Sequence, residues 1–236
     1  MPLIFSIDGN IGSGKSTLVE ELSKRKFKQK VIFLKEPVQE WNDFKDDDQN
    51  TILTKFYNDQ TKYSFPFQLM AYISRISQLR KAIDRNPSAI FICERSVLTD
   101  KNVFAKMLYD MGKIEKICYD IYLKWFDEFR QKNTGFIYIK TKPKTSYERV
   151  KHRNRTGEET VSLKYLNRCH SYHEEWLKKY DNILILDGDT KMGNNPDLFN
   201  RWHVQVEKFI YKTIQADKHY KPKSLFYLDD DYPIFM

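Results

Sequence analysis

Apolar positions along the chain follow two periods. Short unbroken runs at Leu3–Ile7, Val31–Leu34, Ala89–Cys93, Gly135–Ile139 and Ile183–Leu186 have the length and composition of strands buried on both faces of a parallel sheet. Between them the spacing turns helical. Leu18, Val19 and Leu22 make the stripe of a first helix that ends by Lys26. Thr51–Asp59 reads as a short helix, and Phe65 or Pro66 opens a longer one to about Asp84, proline being suited to a first turn. Further helices are expected over Leu98–Asp110, Lys113–Gln131, Val161–Tyr180 and Leu198–Ile214, with loops over Asp43–Asn50 and Gly188–Pro196. Strands alternating with helices predict an α/β fold, a five-stranded parallel sheet with helices on both faces. The pattern fits one domain over 1–214, followed by a tail, 215–236, to which no function is assigned.

The first β-α junction carries the strongest local signal. Gly9-Asn10-Ile11-Gly12-Ser13-Gly14-Lys15-Ser16-Thr17 is G-x-x-x-x-G-K-S between a strand and a helix, the setting of a phosphate-binding loop. Glycines let successive N–H groups turn toward an anion, and the helix N-terminus adds partial positive charge. Lys15 is placed to reach the β- and γ-phosphates of a nucleoside triphosphate, and the Ser16 hydroxyl to ligate Mg²⁺.

Ligands of open parallel sheets sit beyond the carboxyl ends of the strands. Glu36 follows the second strand and suits a general base, or else a surface residue before Pro37. The third strand ends in Glu94-Arg95-Ser96, with Asp100 and Phe104 on the next helix. Gln68 and Arg75, seven apart, share one face of the long helix with Ala71, and periodicity taken alone favours a solvent-facing pair. Arg149, Lys151, Arg153 and Arg155 run into Thr156-Gly157-Glu158-Glu159, which suits a basic lid over phosphates at about 149–160 or a solvated basic helix. Ile117, Ile121, Trp125 and Phe129 give the Lys113–Gln131 helix a broad apolar face, either core or a dimer seam.

Composition narrows the class without deciding it. A net charge of +8 in 236 residues suits an enzyme that handles polyanions as well as a nucleic-acid binder. No run of about 18 apolar residues suggests a membrane span. The N-terminus resembles neither a signal nor a transit peptide, so a cytoplasmic protein is expected. Cys93, Cys118 and Cys169 are odd in number and far apart, as reduced structural thiols would be.

As a set, these residues resemble the deoxynucleoside kinases related to deoxycytidine, deoxyguanosine and mitochondrial-type thymidine kinases. The matching stretches are Gly9–Thr17, Glu36-Pro37-Val38 with Trp41, Tyr57, Tyr63–Gln68 with Ser74-Arg75, and Glu94-Arg95-Ser96 with Asp100. Arg153-Asn154-Arg155, Leu163–Leu166 and His173–Leu177 extend the likeness to about residue 180. The resemblance implies a P-loop kinase using ATP and Mg²⁺, with Glu36 as base toward a nucleoside 5′-hydroxyl. It places Arg95 and Lys15 at the transferring phosphate, and Glu94 with Ser16 on the metal. It gives Gln68 the base edge, Trp41, Phe67 and Phe104 the ring, and Tyr57 and Glu158 the 3′-hydroxyl, with Glu159 as the other choice. Arg153 and Arg155 would clamp phosphates and Arg149 lie along the adenine. Arg75 and Asp100, with Ala71 leaving space beside the ring, match members that accept deoxycytidine and purines, whereas thymidine-preferring members are apolar at both the Arg75 and Asp100 positions. Deoxycytidine and purine deoxynucleosides are therefore expected over thymidine, the alternative being a thymidine-preferring or broad-specificity kinase. A homodimer through the long helices is implied, with no nucleic-acid or membrane partner. The competing readings are a nucleoside monophosphate kinase and an inactive structural or nucleic-acid-binding relative.

Overall fold

The computed structural model describes residues 2–129, 131–155, 157–190, 195 and 197–216. Five strands form an all-parallel sheet in the order β2-β3-β1-β4-β5. They are β1 (Leu3–Asp8), β2 (Val31–Leu34), β3 (Ile90–Glu94), β4 (Gly135–Lys140) and β5 (Ile183–Asp187). Central β1 pairs Leu3 with Ile90 on one side and Phe5 with Gly135 on the other.

The side chains of β1 alternate between two layers, as strand geometry requires. Leu3, Phe5 and Ile7 pack with α1 (Lys15–Ser23) and with α10 (Leu198–Ala216) through Trp202, Val206 and Ile210. Ile4 faces the opposite layer, where Leu79 and Ala82 of the long α4 cover it. That layer is built from α2 (Val38–Asn42), α3 (Ile52–Asn58), α4 (Gln60–Arg85), α5 (Val97–Thr99), α6 (Lys106–Asp110), α7 (Lys116–Phe129), α8 (Pro143–Arg153) and α9 (Leu163–Leu177). The expected five-stranded doubly wound sheet is therefore present.

Four expectations need correction. The helix expected over Val161–Tyr180 is shorter at both ends, as α9. The long helix starts at Gln60, because Asp59 caps it by accepting from Lys62 N at 3.1 Å; Pro66 lies inside the helix instead of opening it. Leu98–Asp110 is not one α-helix: a π turn, Asp100–Ala105, is inserted between α5 and α6. Gln68 and Arg75 are buried in the α4 layer rather than solvent-facing. The Arg75 head meets Glu36, Asp100 and the Glu94 carbonyl there, which periodicity cannot register.

Ile117, Ile121, Trp125 and Phe129 are all exposed, so the apolar face of α7 is not core of this chain. Burial pushes the Cys93 and Cys169 thiols up to about 12, as expected of inert structural cysteines. No helix among the described residues is long and apolar enough to cross a membrane. The tail from 217 onward, Thr156 of the lid and 191–194 of the last loop lie outside the described residues.

Candidate active site

The strand ends converge on a cavity of about 380 Å³ lined by the phosphate loop at one end and α4 at the other. The loop takes its shape from glycine. Gly9, Gly12 and Gly14 have φ of 148°, 76° and 100°, which L side chains rarely adopt. A Cβ on Gly12 would also meet the Ser146 carbonyl at 2.5 Å, so this glycine lets α8 lie against the loop. Asn10 ties the loop to α9 by donating to Leu166 O at 2.9 Å, while its Oδ1 accepts from Ile11 N. Lys15 is buried and donates to Asn10 O at 2.6 Å. Burial and the nearby Arg95 lower its pKa to about 7, although Glu94 and Glu36 oppose the change.

At the other strand ends, Ser16 Oγ donates to Glu94 Oε1 at 2.6 Å, and Glu36 N approaches the second Glu94 oxygen at 3.4 Å. Two arginines hold Glu36. Arg75 Nη2 hydrogen-bonds its Oε1, and Arg95 Nε lies 3.4 Å from the same oxygen. Burial alone would raise this carboxyl, but the Arg75, Arg95 and Lys15 charges together hold it at about 2. Asp100 faces the other side of Arg75, with Oδ2 at 3.0 Å from Nε. Burial pushes Asp100 up to about 6 even beside that charge, because Arg75 is shared with Glu36. Two carboxylates around one guanidinium are thus driven apart in acidity.

The wall beyond Arg75 is amphipathic. Gln68 is buried with Oε1 unpartnered, and Ala71 lies one turn on. Trp41 meets Phe67 edge-on at 5.5 Å and is fixed by its indole N–H, which donates to Ser74 Oγ at 2.9 Å. Phe104 sits under the Arg95 guanidinium at 4.8 Å. The structure brings Trp41, Tyr57, Phe67, Gln68, Ala71, Arg75, Asp100, Phe104 and Glu158 into this one cavity with Lys15 and Glu36.

The lid residues reach the same space. Arg153 Nη2 lies 2.5 Å and Arg155 Nη1 3.4 Å from opposite oxygens of Glu158. Glu158 is buried and lines the cavity, whereas Glu159 is exposed. Burial and the Glu158 charge raise the Tyr57 phenol well above its ordinary value. Arg149 contacts the loop carbonyl of Ser13 at 3.4 Å.

Sequence reasoning missed several lining residues, among them Val38, Leu53, Phe56 and Tyr165. Leu53 and Phe56 share an i, i+3 face that marks them as buried, but nothing in that spacing distinguishes a cavity wall from a core. Ser74, which orients Trp41, is matched in sequence only beside Arg75, with no role of its own.

The deoxynucleoside kinase family profile matches residues 5–211. A probable deoxycytidine kinase of fowlpox virus is 37% identical over 194 residues, 78% of this chain and 78% of that protein. The mitochondrial deoxyguanosine kinase of Xenopus laevis is 28% identical over 236 residues, covering 87% and 88% of the two chains. Human mitochondrial thymidine kinase 2 is 29% identical over 208 residues, covering 84% of this chain and 75% of its own. The three names span three different nucleosides. With this profile over most of its length and the sheet and phosphate loop described above, the chain belongs to the deoxynucleoside kinase family and is a phosphotransferase.

Proposed function

We propose that the protein transfers the γ-phosphate of ATP to the 5′-hydroxyl of deoxynucleosides, favouring deoxycytidine and purine deoxynucleosides over thymidine. The observation that carries this reading is the base wall: Gln68 with its free Oε1, and Arg75 with Asp100, line the same cavity as the phosphate loop. A buried Arg–Asp pair offers a donor and an acceptor to the ring-nitrogen and exocyclic-amine edge of cytosine. A thymine edge would leave part of that pair unmatched, at the cost of an unsatisfied buried charge.

On this reading the residues divide the work by position. Gly9–Thr17 with Lys15 cradle the donor phosphates, and Arg149, Arg153 and Arg155 close over them. Trp41, Phe67 and Phe104 enclose the base, while Tyr57 and Glu158 take the sugar 3′-hydroxyl. Glu36, held ionised by Arg75 and Arg95, accepts the proton of the 5′-hydroxyl. Its low pKa is compatible with this because a loose phosphoryl-transfer transition state asks little of the base until late. Arg95 and Lys15 offset charge on the transferring group, so catalysis is positioning plus electrostatics.

Ser16 Oγ and the Glu94 carboxylate, 2.6 Å apart, form an all-oxygen donor set suited to Mg²⁺. When bound there, the ion would supply charge neutralisation for the phosphates.

The exposed Ile117, Ile121, Trp125 and Phe129 of α7, with Ile73 of α4, support a homodimer packed through these helices. Light scattering at micromolar concentration should give twice the chain mass; a monomer removes the dimer. The function is tested by kcat/KM for the four deoxynucleosides with ATP. Phosphorylation of deoxycytidine and purines above thymidine is expected, and a clear thymidine preference sinks the substrate assignment.

A further inference from the structure

Asp8, the last residue of β1, is fully buried beside the phosphate loop and has no part in the roles above. Both of its carboxylate oxygens are engaged. Ser6 Oγ donates to Oδ2 at 2.5 Å, and Thr99 Oγ1 donates to Oδ1. Each donor has its own acceptor side filled, which directs its proton to Asp8. Ser6 Oγ accepts from Asn133 Nδ2 at 2.9 Å, and Thr99 Oγ1 accepts from Ser96 N at 3.3 Å.

Thr99 closes a capping box with Ser96 at the start of α5, directly after Arg95. Arg95 has φ of 63°, a left-handed conformation that a non-glycine residue adopts only under strain. Something must hold it there. Its N–H donates to Ile7 O at 3.0 Å, and its guanidinium donates to Gly9 O at 2.8 Å. Ile7 and Gly9 flank Asp8. Three consecutive residues at the end of β1 therefore grip the turn: Ile7 by its backbone, Gly9 through the arginine head, and Asp8 through the helix cap that follows.

We propose that Asp8 is a positioning residue for Arg95, acting through the Thr99 hydroxyl to lock the Glu94-Arg95-Ser96 turn so that the guanidinium stays aimed at Gly9 O and Glu36. The pair binds no substrate itself. The inference rests on the assignment of Arg95 to the transferring phosphate, and Arg95→Met tests that assignment separately.

The experiment measures kcat, nucleoside KM and thermal midpoint for Thr99→Val, Thr99→Ser, Asp8→Asn and the Asp8→Asn/Thr99→Val double variant. Misplacing a catalytic group by an ångström or less should lower kcat about ten- to a hundredfold in Thr99→Val, with KM moving less than about threefold. Thr99→Ser, which keeps the hydroxyl, should restore turnover. The double variant should lose no more than the worse single one, because both changes break one link. An unchanged kcat in Thr99→Val, an equal loss in Thr99→Ser, additive losses, or a loss of folding that accompanies the loss of activity would each overturn the proposal. If Arg95→Met is inactive while Thr99→Val turns over normally, only this inference fails. If Arg95→Met is fully active, the phosphate assignment falls and the inference with it.

Discussion

Asp100 Oδ2 lies 3.0 Å from Arg75 Nε, and neither atom makes a hydrogen bond. The contact is an ion pair off the line a hydrogen bond needs, with Arg75 spending its other nitrogens on Glu36 and the Glu94 carbonyl. The carboxylate thus faces the cavity with hydrogen-bonding capacity in reserve. Replacing Asp100 by Asn should lower kcat/KM for deoxycytidine about ten- to a hundredfold, the worth of one charged hydrogen bond. Thymidine should be affected much less. Parallel steady-state assays on the two nucleosides check this, and an equal loss for both would make Asp100 a support for Arg75 rather than a reader of the base.

Glu36→Gln should reduce kcat about 10²- to 10⁴-fold, the usual range for a lost general base, with nucleoside affinity nearly unchanged by calorimetry. The same variant has an acid-stability signature. A carboxyl held at about 2 in the folded state contributes stability above its ordinary value near 4.5, and that contribution disappears as pH falls through about 2. Asp100 has the opposite sign: with its pKa raised to about 6, stability falls as pH rises from its ordinary value to that point, and the full cost remains above it. Melting curves from pH 2 to 5 should therefore be flatter for Glu36→Gln than for the wild type.

Donor binding should weaken with rising pH before the chemistry does. Lys15 has a pKa of about 7 in the resting enzyme, so above that pH it must gain a proton to meet phosphate. The expected result is kcat/KM for ATP declining above about pH 7 while kcat at saturating ATP stays level, since the bound phosphates keep the lysine charged. A pH profile in which both fall together would place the titration elsewhere.

Gly12→Ala tests the packing of the loop. The added methyl would sit 2.5 Å from the Ser146 carbonyl and 2.9 Å from Val150 on a backbone with φ of 76°. A thermal midpoint several degrees lower is expected, from a cost of about 1 kcal/mol or more. ATP KM should rise as well, because α8 and its lid arginines must retreat. Gly14→Ala meets no neighbour within 4 Å and carries the backbone strain alone, which makes it the control.

The sheet was readable because buried parallel strands are continuous apolar runs, and the phosphate loop because its spacing is fixed by the anion it surrounds. Strand ends marked Glu36, Glu94 and Arg95 for the same reason: in this fold the carboxyl edge is where ligands sit. Gln68 and Arg75 were not readable from periodicity. Arg75 is paired by Glu36 and Asp100, which approach from other elements, and Gln68 lines the cavity, so a helical wheel sees only two polar residues on an apolar face. The start of α4 was misplaced for a related reason, since Asp59 supplies the cap and the interior Pro66 imitates a helix opening. Asp8 had no signal at all, being one acidic residue at the end of a strand whose partners are far away in sequence.

The π turn at Asp100–Ala105 amounts to one extra residue threaded into a helix. Asp100 at its start and Met107 and Leu108 after it consequently obey different angular registers, the first set by the cavity and the others by the core. The number of residues in the segment is therefore as decisive for this cavity wall as their identity. Removing one of Lys101–Ala105 would restore an even spiral, and with Met107 and Leu108 anchored, Asp100 would swing about 100° around the axis, away from Arg75. Point changes here alter the chemistry of the cavity wall; a single-residue deletion would turn Asp100 to face elsewhere.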